Sequence, residues 1–273
     1  MPRLSPRVLR RVIIAVVFLA VFTLLGYGTK KLTTAPPTCT DGIMNGNEEG
    51  IDCGLYACQN YCEPNLDPPK VVSTKLIKAG DKDYDFVGEI LNPHTDFGAS
   101  EVTYELRLLA SDKSELFKKS DVFYILPGQT KYLILPFLTT AQGVDSIEFN
   151  ITSAKWQRLD SLEGMNLVVR REQYTPSSGE SSLQAVIFND SDFDFDTVYI
   201  DVVLRNSKGD IIAVNRSELN TFLARTERSF KVVWPFPIVG GADKIEIVPT
   251  TDLFKNSNFI KSYGSAIQKF QKY

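Results

Sequence analysis

The residues best placed to do chemistry lie between positions 39 and 62. Cys39, Cys53, Cys58 and Cys62 are the chain's four cysteines, and an even set this close together reads as a disulfide framework. Three pairings are open to them, and sequence does not choose. Four thiolates could instead make a tetrahedral zinc centre, which an oxidising compartment disfavours. Asp41, Asn45, Asn47, Glu48, Glu49 and Asp52 alternate with Gly42, Gly46 and Gly50. Hard oxygen ligands separated by glycines are what a calcium loop needs, so Asp41, Asn45, Asn47, Glu48 and Asp52 are the candidate Ca2+ ligands. The order is not that of an EF-hand, and the alternative is an acidic turn region held shut by disulfides.

Elsewhere the catalytic inventory is thin. His94 is the single histidine, in a loop Asn92-Pro93-His94-Thr95-Asp96, and reads as a solvated loop residue. Asp190, Asp192, Asp194 and Asp196 alternate with Ser191, Phe193 and Phe195. Such a run could hold calcium or pair carboxylates for glycoside chemistry, or form a solvated acidic loop, the reading preferred here. There is no Gly-x-Ser-x-Gly, no phosphate-binding glycine loop and no His-Glu-x-x-His. Catalysis is therefore not expected. Nucleic-acid binding is not expected either, since no basic stripe interleaves with aromatics beyond the amino terminus.

Those residues must be positioned by what surrounds them. Residues 1–11 carry four arginines and no acid, and an uncharged run from Val12 to Gly28 follows, closed by Lys30 and Lys31. Seventeen helical residues cover about 26 Å, enough to cross a bilayer once flanking basic side chains snorkel. The expectation is a single-pass transmembrane helix at 12–28 after a basic cytoplasmic stub at 1–11, with the bulk of the chain extracytoplasmic. A cleaved signal peptide is the alternative. Residues 1–31 hold six positive charges and no negative ones, so the overall charge of −3 conceals an ectodomain of −9.

Beyond a cysteine-rich stalk at 39–63 and a proline-containing linker at 64–69, the pattern turns to strands. Val102-Thr103-Tyr104-Glu105-Leu106-Arg107-Leu108 alternates apolar and polar, as does Val198-Tyr199-Ile200-Asp201-Val202. Ile90-Leu91-Asn92 matches Ile187-Phe188-Asn189, and Phe97, Val102 and Leu108 fall on Phe193, Val198 and Leu204. An offset kept near 96 residues across several strands indicates an internal duplication. The fold class expected is all-β: two tandem immunoglobulin-like β-sandwiches, at 70–152 and 165–250. In the tail at 251–273, Phe259, Tyr263, Ile267 and Phe270 would share one helical face, suited to docking a partner or membrane surface or to packing on the second sandwich.

Two resemblances add to this. The pattern carried by Cys39, Asp41, Gly42, Asn45, Gly46, Glu48, Asp52, Cys53 and Gly54 resembles a short cysteine-rich motif of secreted and surface proteins, with Leu55 where that motif has a second glycine. It implies an extracellular stalk rather than an activity. Gly88-Glu89-Ile90-Leu91-Asn92 and Ala185-Val186-Ile187-Phe188-Asn189, each followed by a loop and an alternating strand, resemble the FxLYD and WHy group of bacterial and archaeal surface domains. That resemblance implies a binding or structural envelope domain. Together these readings give a membrane-anchored envelope protein that binds, adheres or scaffolds, with the membrane and other envelope or surface proteins as partners. The rival is a structural subunit of an envelope assembly docking through anchor and tail, and a remoter one a calcium-dependent or carboxylate-based enzyme.

Overall fold

A computed structural model describes residues 6–33, 39–59, 62, 66–159, 161–238 and 241–264. They fall into two compact units, residues 1–65 and 66–273.

In the first unit, helix α1 (Pro6–Thr33) contains the whole expected apolar run and extends beyond it at both ends. The window Arg10–Tyr27 is long and apolar enough to cross a membrane, and none of it is buried against protein. Proline opens the helix at its first position, where its missing N–H costs nothing. A 28-residue helix is about 42 Å long, so the apolar window sits inside it with a basic turn on the amino-terminal side. The cysteine module that follows contains one short helix, α2 (Leu55–Cys58), and two disulfides, Cys39–Cys58 and Cys53–Cys62. The second of the pairs bridges 9 residues and the first 19, in overlapping loops. Loops of that size each remove about 2.5 to 3 kcal/mol of denatured-state entropy, which substitutes for the apolar core so short a segment cannot build.

The second unit is all-β and holds two sandwiches of the same topology. In the first, strands β1 (Lys70–Lys78), β2 (Asp83–Leu91) and β5 (Thr130–Thr139) form one antiparallel sheet, in the order β1-β2-β5. Strands β3 (Phe97–Leu109), β4 (Glu115–Ile125) and β6 (Ser146–Arg158) form the other, in the order β4-β3-β6. The second sandwich repeats both sheets as β7-β8-β11 and β10-β9-β12. Its strands are β7 (Leu167–Thr175), β8 (Ser181–Asn189), β9 (Phe195–Arg205), β10 (Ile211–Phe222), β11 (Glu227–Trp234) and β12 (Lys244–Thr251). Each strand therefore has a counterpart six places on. The closing strand β6 runs to Arg158, past the end expected at 152.

Period-two alternation builds the cores. On β3, Val102, Tyr104, Leu106 and Leu108 are buried while Thr103, Glu105 and Arg107 are not. Each such buried side chain contributes about 1.5 to 3 kcal/mol. The matched asparagines lock the same corner in both sandwiches. Asn92 donates from Nδ2 to the carbonyls of Phe97 (2.7 Å) and Leu126 (2.9 Å), and its Oδ1 accepts from the His94 amide. Asn189 donates to Phe193 (2.8 Å) and Leu223 (3.1 Å), and its Oδ1 accepts from the Ser191 amide. Both are fully buried, so each satisfies loop backbone that water cannot reach.

A third apolar cluster joins the sandwiches. Ile77, Val87, Tyr132 and Ile134, on the outer face of the β1-β2-β5 sheet, pack against Val203, Ile211 and Val214 on the outer face of β10-β9-β12. Strands β2 and β9 are thus buried on both faces. The Tyr132 hydroxyl donates to Glu246 (2.7 Å) and accepts from Arg205 (3.0 Å), which also pairs with Glu246 at 2.9 Å. The tail continues this packing: a 3-10 turn (Leu253–Lys255) and helix α3 (Ser257–Tyr263) bury Leu253, Phe254, Phe259 and Ile260 in the core of the second sandwich. Asn256 caps α3 by accepting from the Phe259 amide at 3.0 Å. Phe259 is therefore core rather than a docking face, while Ile267 and Phe270 lie outside the described residues.

Candidate binding cleft between the sandwiches

Within the cysteine module the acidic side chains turn onto the loop's own amides. Asp52 accepts from Asp41 (2.9 Å) and Gly42 (2.7 Å), Asp41 from Ile43 (2.9 Å) and the Asn45 side chain (2.9 Å). One oxygen of Glu48 accepts from Asn45 (3.1 Å) and Asp52 (3.3 Å), and Asn47 is exposed. Gly50 is dictated by the disulfides, because a Cβ there would fall 2.7 Å from Cys62 Sγ and 2.8 Å from Cys53 Sγ. Among the described residues the one group of three metal-type ligands within reach of each other is Cys39, Glu48 and Cys58, and both of those sulfurs are spent in a disulfide.

Two of the four aspartates in the run are tied to a single arginine. Arg225 pairs with Asp190 and, at 2.9 Å, with Asp192, while Asp194 accepts from the Ala224 amide at 2.7 Å. These carboxylates brace the loop after β10 rather than facing one another. His94 is also structural in its contacts, with Nε2 at 3.0 Å from the Asp67 carbonyl and its ring edge-on to Trp156.

The strongest arrangement of chemical groups was not among the sequence candidates. Where β3, β4 and β5 of the first sandwich meet β9, β10 and the turn after β12, a cleft of about 660 Å³ opens. Its walls are aromatic, with Tyr104, Phe123, Tyr124 and Tyr199, and its interior carries two cations, Lys131 and Arg216. Lys131 stands on β5, opposite Ile90 of β2, and is 4% exposed. Its ammonium lies 3.8 Å over the ring of Tyr124 and has no hydrogen-bond acceptor. Burial pushes its pKa down to about 8, partly opposed by Asp201 and reinforced by Arg216. The equivalent strand position in the second sandwich, Arg228 on β11, is exposed.

Arg216 and Asp201 face each other across β10 and β9. The Arg216 Nε donates to Asp201 at 2.6 Å, and one terminal nitrogen donates to the Tyr132 carbonyl at 3.2 Å. Burial works against the Arg216 charge, but the Asp201 carboxylate more than offsets it and holds the guanidinium pKa above its ordinary value. Among the described residues two buried side-chain polar atoms have no partner, Asp201 Oδ2 and the hydroxyl of Ser100, and Ser100 lines the cleft. Burial pushes the Tyr104 hydroxyl up to about 12 and raises Tyr124 further, so both stay neutral donors. Burial also raises Asp252, although Lys255 and the Phe254 amide hold its carboxylate. A buried, charge-bearing, incompletely satisfied floor under aromatic walls is what a polar-ligand site requires.

No family model matches the chain, and no curated protein matches it. Among solved structures the chain is similar to the calcium binding domain CBD12 of CALX1.1, at 12% identity over 74% of this chain and 90% of that one, with a TM-score of 0.21. It is also similar to red sea bream transglutaminase, at 11% identity over 72% of this chain and 30% of that one, with a TM-score of 0.23. Likeness this loose leaves function to the chain's own residues.

Proposed function

We propose that this is a single-pass membrane-anchored envelope protein whose tandem sandwiches form an extracytoplasmic binding or scaffolding ectodomain without catalysis. The observation that carries this reading is α1: an apolar window from Arg10 to Tyr27 with no protein covering it, in a helix whose described residues include no acid. A surface of that kind is stable in a bilayer and costly in water. The excess of arginine before the window directs the amino terminus to the cytoplasm. Two disulfides shortly after it fit an oxidising compartment on the other side. The reading without catalysis draws on Asp190 and Asp192 being paired with Arg225, on Asp194 accepting the Ala224 amide, and on His94 packing on Trp156 beside the Asp67 carbonyl.

The test is protease accessibility in cells expressing the full chain. External protease should remove residues after 66 from sealed, cell-wall-stripped cells while leaving an amino-terminal tag intact. Protection of the ectodomain until the cells are lysed would overturn the orientation.

A further inference from the structure

We propose that the cleft between the two sandwiches binds a small organic carboxylate, received by the ammonium of Lys131 and the unused edge of the Arg216 guanidinium. This deepens the binding role proposed above, and it does not depend on the membrane anchor.

Unmet donors come first. Lys131 offers three N–H bonds, is almost wholly buried, and meets only the face of the Tyr124 ring. An ammonium whose stem is buried and whose nitrogen meets only the cleft, with no anion bonded to it, is costly to carry, and a cation–π contact repays little of that. Arg216 spends Nε on Asp201 and one terminal nitrogen on the Tyr132 carbonyl, which leaves its second terminal nitrogen without an acceptor in the protein. The Ser100 hydroxyl lines the same cleft and is likewise without a partner. Three donors from β3, β5 and β10 thus border one space with nothing to receive them.

Charge accounting then selects the ligand. Asp201 balances Arg216, and Lys255 lies 3.2 Å from Asp252, so Lys131 is the excess charge at the floor. Around the opening Glu101, Asp121 and Asp196 are interspersed with Lys119 and Lys155, Lys119 lying 3.4 Å from Asp121. A rim of mixed sign leaves the one uncompensated floor cation to select the ligand, which suits a single negative charge. The half-buried Tyr199 lines the cleft beside Arg216, whose guanidinium stands 5.5 Å over its ring, and about 660 Å³ is ample for a small ring-bearing ligand. The bound form is accordingly a small monocarboxylate, with room for an aromatic or sugar ring beside Tyr199.

Isothermal titration calorimetry on the full-length protein in detergent tests this, with glucuronate and 4-hydroxyphenylacetate as probes. Glucose, 4-hydroxyphenylethanol and inorganic phosphate are the controls. At least one carboxylate should bind while its neutral counterpart and phosphate do not, and which one binds distinguishes a sugar acid from an aromatic acid. Because a bound anion favours the charged lysine against Tyr124, Asp201, Arg216 and Asp252, binding between pH 8 and 9 should take up a proton, seen as a buffer-dependent heat. Lys131→Met should weaken binding by about tenfold or more and abolish that uptake, and Ser100→Ala should weaken it less. Unchanged thermal melting of Ser100→Ala separates lost contacts from lost folding. Failure of both carboxylates to bind overturns the proposal, as does equal binding by the neutral analogues, by phosphate or by Lys131→Met.

Discussion

Replacing Lys131 with Met should make the protein more stable at neutral pH, an unusual expectation for a buried residue. The lysine pKa falls from 10.5 to about 8 because burial penalises the ammonium. A depression of that size corresponds to about 3 kcal/mol of destabilisation while the group stays charged in both states. Losing the cation–π contact with Tyr124 returns about 1 kcal/mol, which leaves a net gain of about 2. For a unit of this size that raises the melting temperature by about 4 to 8 °C. The sign also fixes a pH signature. With the folded pKa below the unfolded one, the unfolded chain binds more protons between about pH 8 and 10.5, so wild-type stability should climb through that window. The penalty is fully present below pH 8 and gone above 10.5, and the Lys131→Met variant should lack the climb. Urea denaturation of full-length protein in detergent at pH 7, 9 and 10.5 measures both effects, with Lys231→Met, an exposed lysine on β11, as control. Equal or lower stability of Lys131→Met at pH 7, or the same pH slope as wild type, would refute the claim that the ammonium is unpaired. A stabilising substitution of this kind is what one finds where a fold accepts strain for a ligand.

Other outcomes follow from named contacts. Asn92→Ala and Asn189→Ala should each cost about 2 to 4 kcal/mol in denaturation, since each strands a buried carbonyl, Leu126 or Phe222, and at least one part-buried one; a loss under 1 kcal/mol in either would remove the corner lock. Tyr132→Phe should cost about 1 to 2 kcal/mol by removing the hydroxyl's bonds to Glu246 and Arg205, measured by the same titration. Excess calcium over chelator should leave proteolysis of the 39–62 segment unchanged, because Glu48 and Asp52 accept loop amides; protection by calcium would favour the ion-site reading.

Much of the β architecture was legible because period-two alternation and a repeated offset are local signals. Val102 to Leu108 reads as a half-buried strand, and the match of Ile90-Leu91-Asn92 to Ile187-Phe188-Asn189 led to two sandwiches of one topology. Strands β4 and β10 gave weaker signals: Lys118, Lys119 and Asp121 in one and Asn215, Arg216 and Glu218 in the other interrupt the apolar pattern. The cleft was not legible, because residues of both sandwiches line it. Lys131 in Thr130-Lys131-Tyr132 reads as an ordinary edge charge, yet it is buried on the strand face it shares with Leu133, over the ring of Tyr124. Two hints existed. Val202-Val203-Leu204 is an unbroken apolar run, as in a strand covered on both faces, and Asp201 sits in the middle of an otherwise apolar strand. The tail misled for a related reason, since a helical apolar face looks the same whether it meets a partner or its own core, where Phe259 lies.

Peptide mass spectrometry of the chain purified from membranes of expressing cells decides whether the membrane helix stays uncleaved and the cysteine module oxidised. Digestion without reduction should yield peptides from the Arg10–Tyr27 segment together with disulfide-linked peptides pairing Cys39 with Cys58 and Cys53 with Cys62. A mature chain beginning after Tyr27, or alkylatable thiols at those four cysteines, would contradict it.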